Sequence, residues 1–414
     1  MSDVTFRGSA RPSLGVELEL QLLDARSLAL TGASDAVLAS VPPEFQGSVK
    51  PEFYDSCVEI NTGICRDVAE VGHDLGPKLT ATARAAGRHG VLLGWGGTHP
   101  FSHWRNQPIV STPRYRELAG LYRETLCRQV TFGLHVHVGV GDGDAAVRVC
   151  NRIAEHLPAL LALSANSPFW CGRATGLLAH RVEVMGASPT GGLPPRLDGW
   201  DDYVRLVDRL TGAGLIQTPK ELWWDVRPSP GHGTVEVRMC DMPPDLLAVL
   251  GLTALTQCLV AELSRENDDG QGLDECGLMI VRQNRWRAAR FGLGAELVDP
   301  RTGRASSARQ GIKSLVDSLG ETAESLGCAR QLGRVLEMAE SPGGAGRQLA
   351  VFERTGDLAT VARHMTGGHE PDPGHSAPIF HGRAHLSVDG PAAGAIPWPG
   401  VAVTPGDGGR VAGG

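Results

Sequence analysis

The sequence predicts an α+β fold: one sheet with an oily face covered by helices and a polar face left free for chemistry. Three observations carry this. First, Gly15-Val16-Glu17-Leu18-Glu19-Leu20-Gln21-Leu22 alternates with period 2, so an extended chain sends Val16, Leu18, Leu20 and Leu22 to one side and Glu17, Glu19 and Gln21 to the other. Second, the design recurs. Cys57-Val58-Glu59-Ile60-Asn61 sets Glu59 opposite Val58 and Ile60; Phe132 to Val138 sets His135 and His137 opposite Phe132, Leu134, Val136 and Val138; Thr234 to Met239 sets Glu236 and Arg238 opposite Val235, Val237 and Met239. Third, from Pro243 to Gly367 the pattern is helical with short breaks.

One acidic strand alone reads as an ordinary solvated surface. Four such strands sharing a sheet would instead gather carboxylates, two imidazoles and a guanidinium in one basin. Two like charges about 4 Å apart at an effective dielectric near 20 repel by roughly 4 kcal/mol, a large part of the roughly 5–15 kcal/mol that holds a domain folded. The basin therefore calls for counter-charge. Arg238 neutralises one carboxylate, and an oxygen-rich cluster is a typical host for Mg2+ or Mn2+.

Composition narrows the function classes. A formal charge of -7 gives no basic field for nucleic acid. No apolar run of membrane-spanning length stands out, and the N-terminus lacks the hydrophobic core of a signal peptide, so a cytoplasmic protein with no membrane partner is expected. Nine cysteines, scattered singly with no CxxC pair, read as reduced thiols.

Taken in order, Pro51-Glu52-Phe53-Tyr54-Asp55-Ser56 precedes the second strand and offers Glu52 to the basin. Asp67-Val68-Ala69-Glu70 resembles a capping box, and Val68, Val71, Leu75 and Leu79 follow at helical spacing, predicting a helix to about Arg88. Val91 to Trp95 reads as a short buried strand before a glycine-rich loop containing His99. Thr112-Pro113 offers an N-cap and a first-turn proline. Val147, Cys150, Ile153, Leu157 and Leu160 predict one long amphipathic helix after the histidine strand. Ser164 to Gly176 reads as an irregular polar loop, in which Arg173, with Arg181 beyond it, is a candidate to hold a substrate carboxylate. Trp200 to Leu210 reads as a short helix, and Pro243-Pro244-Asp245 opens a long apolar one. Asn284 to Arg290 is a basic patch of the kind that could meet phosphates. Residues 368–414 hold 11 glycines and 7 prolines, far above the usual share of about 12% for the two together, and predict a disordered tail beyond a catalytic domain of residues 1–367.

The motifs GVELELQ, PEFYDSCVEINTGICR, GTHPF, FGLHVHVGV, ANSPFW and TVEVRMCD, in this order, resemble the carboxylate-amine ligases of the bacterial glutamate-cysteine ligase type 2 family over about residues 14–367. The resemblance implies a glutamine-synthetase-like catalytic domain, with a curved antiparallel sheet and helices on its convex face. It implies ATP and Mg2+ as cofactors, and small-molecule substrates: glutamate or a related carboxylate, and cysteine or another amine. Carried over by motif, Glu17, Glu19, Glu52, Glu59, His135 and Glu236 would hold metal. Glu59 and Arg238 would be catalytic, Arg238 bracing the transferred phosphoryl group, and His137 would bind nucleotide or substrate. A homodimer is the family expectation. No GxxxxGK[ST] loop is present, so phosphate would be held through metals. Two other readings remain: a zinc or dinuclear metal hydrolase built on the HxH strand, and a silent binding member of the ligase family.

Overall fold

Strand β1 (Leu14–Asp24) is the hub of the molecule, because three other strands pair with it. In the computed structural model, which describes residues 4–265 and 272–367, β1 lies antiparallel to β3 (Cys57–Asn61), β4 (Val91–Gly94) and β5 (Gly133–Gly139). Strand β2 (Val49–Pro51) extends the sheet beyond β3. After the two-residue strands β6 (Phe169–Trp170) and β7 (Arg173–Ala174), which form a separate hairpin, β8 (Val226–Ser229) and β9 (Thr234–Asp241) complete it on the far side. The order is β2-β3-β1-β5-β9-β8, with β4 pairing β1 off this path, and every pairing is antiparallel. The expected α+β architecture, an antiparallel sheet with helices, is what forms.

The aliphatic rows face a common core. Val16, Leu18, Leu20, Val58, Ile60, Leu134, Val136, Val138, Val235 and Val237 are all buried in one cluster with Val71, Leu75 and Leu79 of the helix Val68–Arg88 and Leu252, Leu255 and Leu259 of the helix Leu246–Arg265. Burying each such side chain contributes about 1.5–3 kcal/mol, so the two-residue period is enforced wherever a helix covers the sheet. The helix Leu246–Arg265 is long and apolar enough to cross a membrane, yet 78% of its apolar window is buried inside the protein, as expected of a core helix. A second cluster joins Val147, Tyr203, Val207, Leu222 and Trp224, bringing the helix Trp200–Gly212 against the sheet end.

Capping follows the sequence. Asp67 accepts from the Glu70 amide at 2.8 Å, Thr112 from Tyr115 at 3.2 Å, Asp142 from Ala145 at 2.7 Å and Asp245 from Ala248 at 2.8 Å. The long helix expected after β5 is two helices, Gly143–Ile153 and Leu157–Ser164. Pro158 explains the break: it brings no amide hydrogen and disfavours helical backbone at the residue before it, so the second helix must start afresh. The loop at 164–176 contains the β6–β7 hairpin, and Glu296–Val298 pairs with Ala305–Ser307 in a further small hairpin outside the main sheet. The tail expected over 368–414 lies outside the described residues.

One irregularity matters for the site. Along β5, Leu134 and Val136 are two residues apart, but their partners on β9, Cys240 and Val237, are three apart. This β-bulge inserts one residue into β9. Cys240, not Met239, therefore stands opposite Leu134, and the uninterrupted alternation expected through Met239 ends at the bulge. Beyond it, Asp241 pairs with Gly133.

Candidate active site

Cross-strand register assembles the polar face. Glu17 pairs with Asn61 on one side and His135 on the other; Glu19 pairs with Glu59; His137 pairs with Glu236, which in turn pairs with Arg227 on β8. Directly opposed residues on one face bring their Cβ atoms to about 4.5–5.5 Å, so the pairings alone force these groups together.

The contacts fall into two adjoining groups. In the first, His135 Nδ1 lies 3.0 Å from one Glu17 oxygen, and His137 Nε2 lies 3.4 Å from the other and 3.8 Å from Glu236. Glu236 is buried and gripped by two guanidiniums: Arg227 Nε at 2.8 Å and Arg238. Burial opposes the charge on Glu236, but the two arginines outweigh it and hold the carboxyl well below the usual range. Burial likewise opposes ionisation of Glu17, and the hydrogen bonds with His135 and His137 reverse that, lowering its pKa.

In the second group burial and neighbouring carboxylates outweigh the lowering effect of Arg238 on Glu52. Glu19, Glu52 and Glu59 can bring one oxygen each within 4.8 Å of one another, as can Glu17, His135 and Glu236 in the first group. Burial first, and then the charge of Glu19, push Glu52 up to about 7; burial, Glu17 and Glu52 push Glu59 up to about 8. Asn61 donates to Glu59 at 2.8 Å and the Gly133 amide to Glu19 at 2.5 Å, fixing both carboxylates without neutralising them.

The donor set tests the expectation of metal. Five carboxylates and one histidine make up the two triads, a hard-oxygen set suited to Mg2+ or Mn2+ rather than to tetrahedral zinc. His137 Nε2 is buried beside the first triad, facing Glu17 at 3.4 Å and Glu236 at 3.8 Å. Its Nδ1 is 2.9 Å from the Thr234 hydroxyl, an orienting contact of the kind that leaves the other ring nitrogen for a ligand.

A family model described as glutamate-cysteine ligase family 2 matches residues 13–368. The chain belongs to glutamate-cysteine ligase family 2. A relative from Gloeobacter violaceus, provisionally named glutamate-cysteine ligase 2, is 41% identical over 88% of this chain and 99% of its own length. One from Frankia alni, provisionally named glutamate-cysteine ligase 2-1, is 40% identical over 86% of this chain and 95% of its own. Among solved structures, a glutamate-cysteine ligase from Francisella tularensis in complex with AMP aligns with a TM-score of 0.61 at 13% identity, covering 87% of this chain and 89% of that one. A bifunctional glutathione synthetase from Pasteurella multocida aligns with a TM-score of 0.65 at 14% identity, covering 86% of this chain and 52% of that one. Likeness at this identity speaks to the fold alone.

Within this family framework, Glu17, Glu19, Glu52, Glu59, His135, His137, Glu236 and Arg238 all lie in or beside the two triads. The two arginines expected to hold a substrate carboxylate have other surroundings. Arg181 is buried, and its guanidinium donates at 3.2 Å to the carbonyls of Arg238 and Met239, the backbone exposed by the β9 bulge. It fits there because residue 133 is glycine, since a Cβ at that position would stand 2.1 Å from Arg181 Nη2. Arg173 is exposed on the β6–β7 hairpin, outside the main sheet.

Two residues of the region carried no role in the sequence reading. Arg227 holds Glu236 and donates to the carbonyls of Lys220 at 2.7 Å and Leu222 at 3.0 Å. The signal was the hairpin joining β8 to β9, whose register sets 227 opposite 236. Asp241 takes hydrogen bonds from the Asn166 amide at 2.8 Å and the Ser167 hydroxyl at 2.6 Å and lies against Gly97, where a Cβ would meet its carboxyl carbon at 2.5 Å. Burial raises its pKa to about 6, against the lowering effect of Arg181. His99, in the glycine-rich loop, is buried and structural: Nε2 contacts the Leu28 carbonyl at 2.9 Å, Nδ1 accepts the Ser102 amide at 2.9 Å, and burial lowers its pKa to about 4.

Proposed function

We propose that this chain is an ATP-dependent carboxylate-amine ligase that joins the γ-carboxylate of glutamate to an amine, cysteine being the acceptor its family name points to. The observation that carries this reading is the pair of acidic triads on one sheet face, closed at one end by Arg227 and Arg238. At neutral pH a carboxylate and an ammonium form a salt, so an amide requires activation of the acid. A carboxylate oxygen of the acid attacks the γ-phosphorus of ATP, the bond from that phosphorus to the β–γ bridging oxygen breaks, and ADP leaves. The amine then attacks the acyl carbon and phosphate departs with the former carboxylate oxygen. Phosphoryl transfer depends chiefly on positioning and charge neutralisation.

Glu17, His135 and Glu236 would hold one divalent ion and Glu19, Glu52 and Glu59 another. Bound there, Mg2+ or Mn2+ supplies positive charge to the phosphate oxygens. Arg238, held by Glu236 and stiffened in place by that contact, is aimed to brace the transferred phosphoryl group. Arg227 keeps Glu236 fixed, and His137, oriented by Thr234, offers Nε2 to nucleotide or substrate. The cytoplasm is the compartment this reading requires, as a source of ATP and of reducing conditions for nine free thiols. A homodimer is carried as part of the reading.

The test supplies ATP, Mg2+ and glutamate with hydroxylamine as the amine. Glutamyl hydroxamate with stoichiometric ADP is expected. Absence of both, across a panel of amino acids and amines, overturns the reading, and ATP-independent hydrolysis with tightly bound zinc would replace it by the hydrolase.

A further inference from the structure

We propose that the exposed face of the helix Glu275–Phe291 docks a second copy of this chain across a twofold axis. The inference rests on the homodimer carried above and assigns its surface. One row of this helix, Gly277, Val281, Asn284 and Ala288, is buried against the body. The opposite row, Met279, Arg282, Gln283, Trp286 and Arg290, is exposed. Of the seven large hydrophobic residues exposed among the described residues, three belong to this helix: Met279, Trp286 and Phe291. Trp286 and Phe291 meet edge to face at 6.1 Å, and the Arg290 guanidinium stands 4.9 Å from the Phe291 ring. Positions 279, 283, 286 and 290 alternate in steps of four and three, the spacing of a seam between two helices.

What identifies the partner is the order of charges. Acidic Asp274 and Glu275 begin the helix, and Arg282 and Arg290 lie further along it. Turned end for end about the point between Arg282 and Gln283, the helix matches itself. Glu275 meets Arg290, Met279 meets Trp286 and Arg282 meets Gln283, each contact occurring twice. A parallel copy would set Glu275 on Glu275 and Arg290 on Arg290. Self-complementarity of this kind is what an isologous twofold interface demands, and antiparallel helix dipoles favour the same arrangement. The basic patch seen in the sequence is thus divided. Arg285 is engaged by Asp225 at 2.6 Å and Arg287 by Glu296 at 3.4 Å on the protein itself, while Arg282 and Arg290 belong to the outer seam.

One helix pair buries less than the roughly 1,200 Å2 of a permanent interface, so association on the order of micromolar is expected. Sedimentation velocity of the full chain from about 1 to 100 µM should show a monomer giving way to a dimer. Met279→Asp and Trp286→Ala should leave a monomer throughout. Glu275→Arg and Arg290→Glu should each weaken association about tenfold or more, and the double variant should recover most of that loss. Gln283→Cys, close to the axis, should be joined to its mate by a short bismaleimide. The native exposed Cys276 should not, because antiparallel pairing sets it about 20 Å from its mate. Thermal midpoints equal to wild type confirm that each variant is folded. A monomer at the highest concentration, a dimer indifferent to the single charge reversals, or no recovery in the double variant overturns the proposal. ADP release per chain is read separately, so failure of the dimer and failure of the ligase reading are told apart.

Discussion

Two polar clusters flank β5, and they solve the burial of charge in opposite ways. Around Asp241, a dense set of hydrogen bonds joins the loops to the sheet. Asn166 donates to the carbonyls of Trp95 and Met242 and accepts from Gln348, Gln21 reaches the carbonyls of Gly96 and Thr98, and Asp241 itself holds the amide of 166 and the hydroxyl of 167. Around Glu52 and Glu59, carboxylates are packed together and left short of positive charge. The first cluster ties loops to the sheet, and the second, in the proposed reading, would be completed by an ion. The motifs GTHPF and ANSPFW are as visible in the sequence as GVELELQ and TVEVRMCD, yet their described contacts serve the tied cluster.

That contrast can be broken at its strongest point first. Glu59→Gln is expected to lower ADP release at least about a thousandfold by removing charge that an ion and the transferred phosphoryl group depend on. It should also raise the metal-free thermal midpoint, because it removes a buried carboxyl that folding must otherwise protonate or hold charged among other carboxylates. A lower midpoint in that variant would mean that Glu59 stabilises the fold, which erases the difference between the clusters. Asp241→Ala should do the reverse. Stranding two buried donors and the Arg181 charge costs about 3–5 kcal/mol in urea titration, while ADP release per folded chain stays within about tenfold of wild type.

A pH series sharpens the comparison. The folded pKa values of Glu52 and Glu59, about 7 and about 8, lie above the ordinary 4.5. Their contribution to metal-free stability is therefore fully present below about pH 4.5 and is lost as pH rises through 7 and 8. Because an ion needs the deprotonated carboxylates, the rise in thermal midpoint given by Mg2+ should be small at pH 6 and large at pH 8.5. A constant increment across that range would remove the two glutamates from the metal shell. The smallest effect is expected at Arg173: Arg173→Ala should change KM for the acid substrate by less than about twofold, as fits an exposed arginine away from the sheet.

The parts legible in the sequence were those whose cause is local. Period-2 alternation states which face each side chain takes, so Glu17, Glu19, His135 and Glu236 could be assigned to one side before any strand pairing was known, and the caps at Asp67 and Thr112 follow from residues three apart. What escaped depends on pairing. Arg227 becomes a partner of Glu236 only through hairpin register, and Asp241 reaches its loops only because β9 carries an extra residue. Arg181 looked like a ligand for a substrate because a guanidinium suits a carboxylate. The carbonyls that occupy it belong to the bulge, which no spacing in the sequence announces. The break before Leu157 was legible in Pro158, and the apolar spacing across it overrode the warning.

The bulge also sets the mutational tolerance of β9. It acts as a phase change: side chains before it keep the parity of the hairpin, and those after it follow a frame displaced by one position. Exchanging residues at 238 or 239 leaves that frame intact, and deleting either one would remove the extra residue, so that β9 pairs regularly with Cys240 still opposite Leu134 and Asp241 still opposite Gly133. What such a deletion would take away is the bowed-out main chain on which the buried guanidinium of Arg181 rests, so the segment's length matters through that one cation and not through the facing of its neighbours.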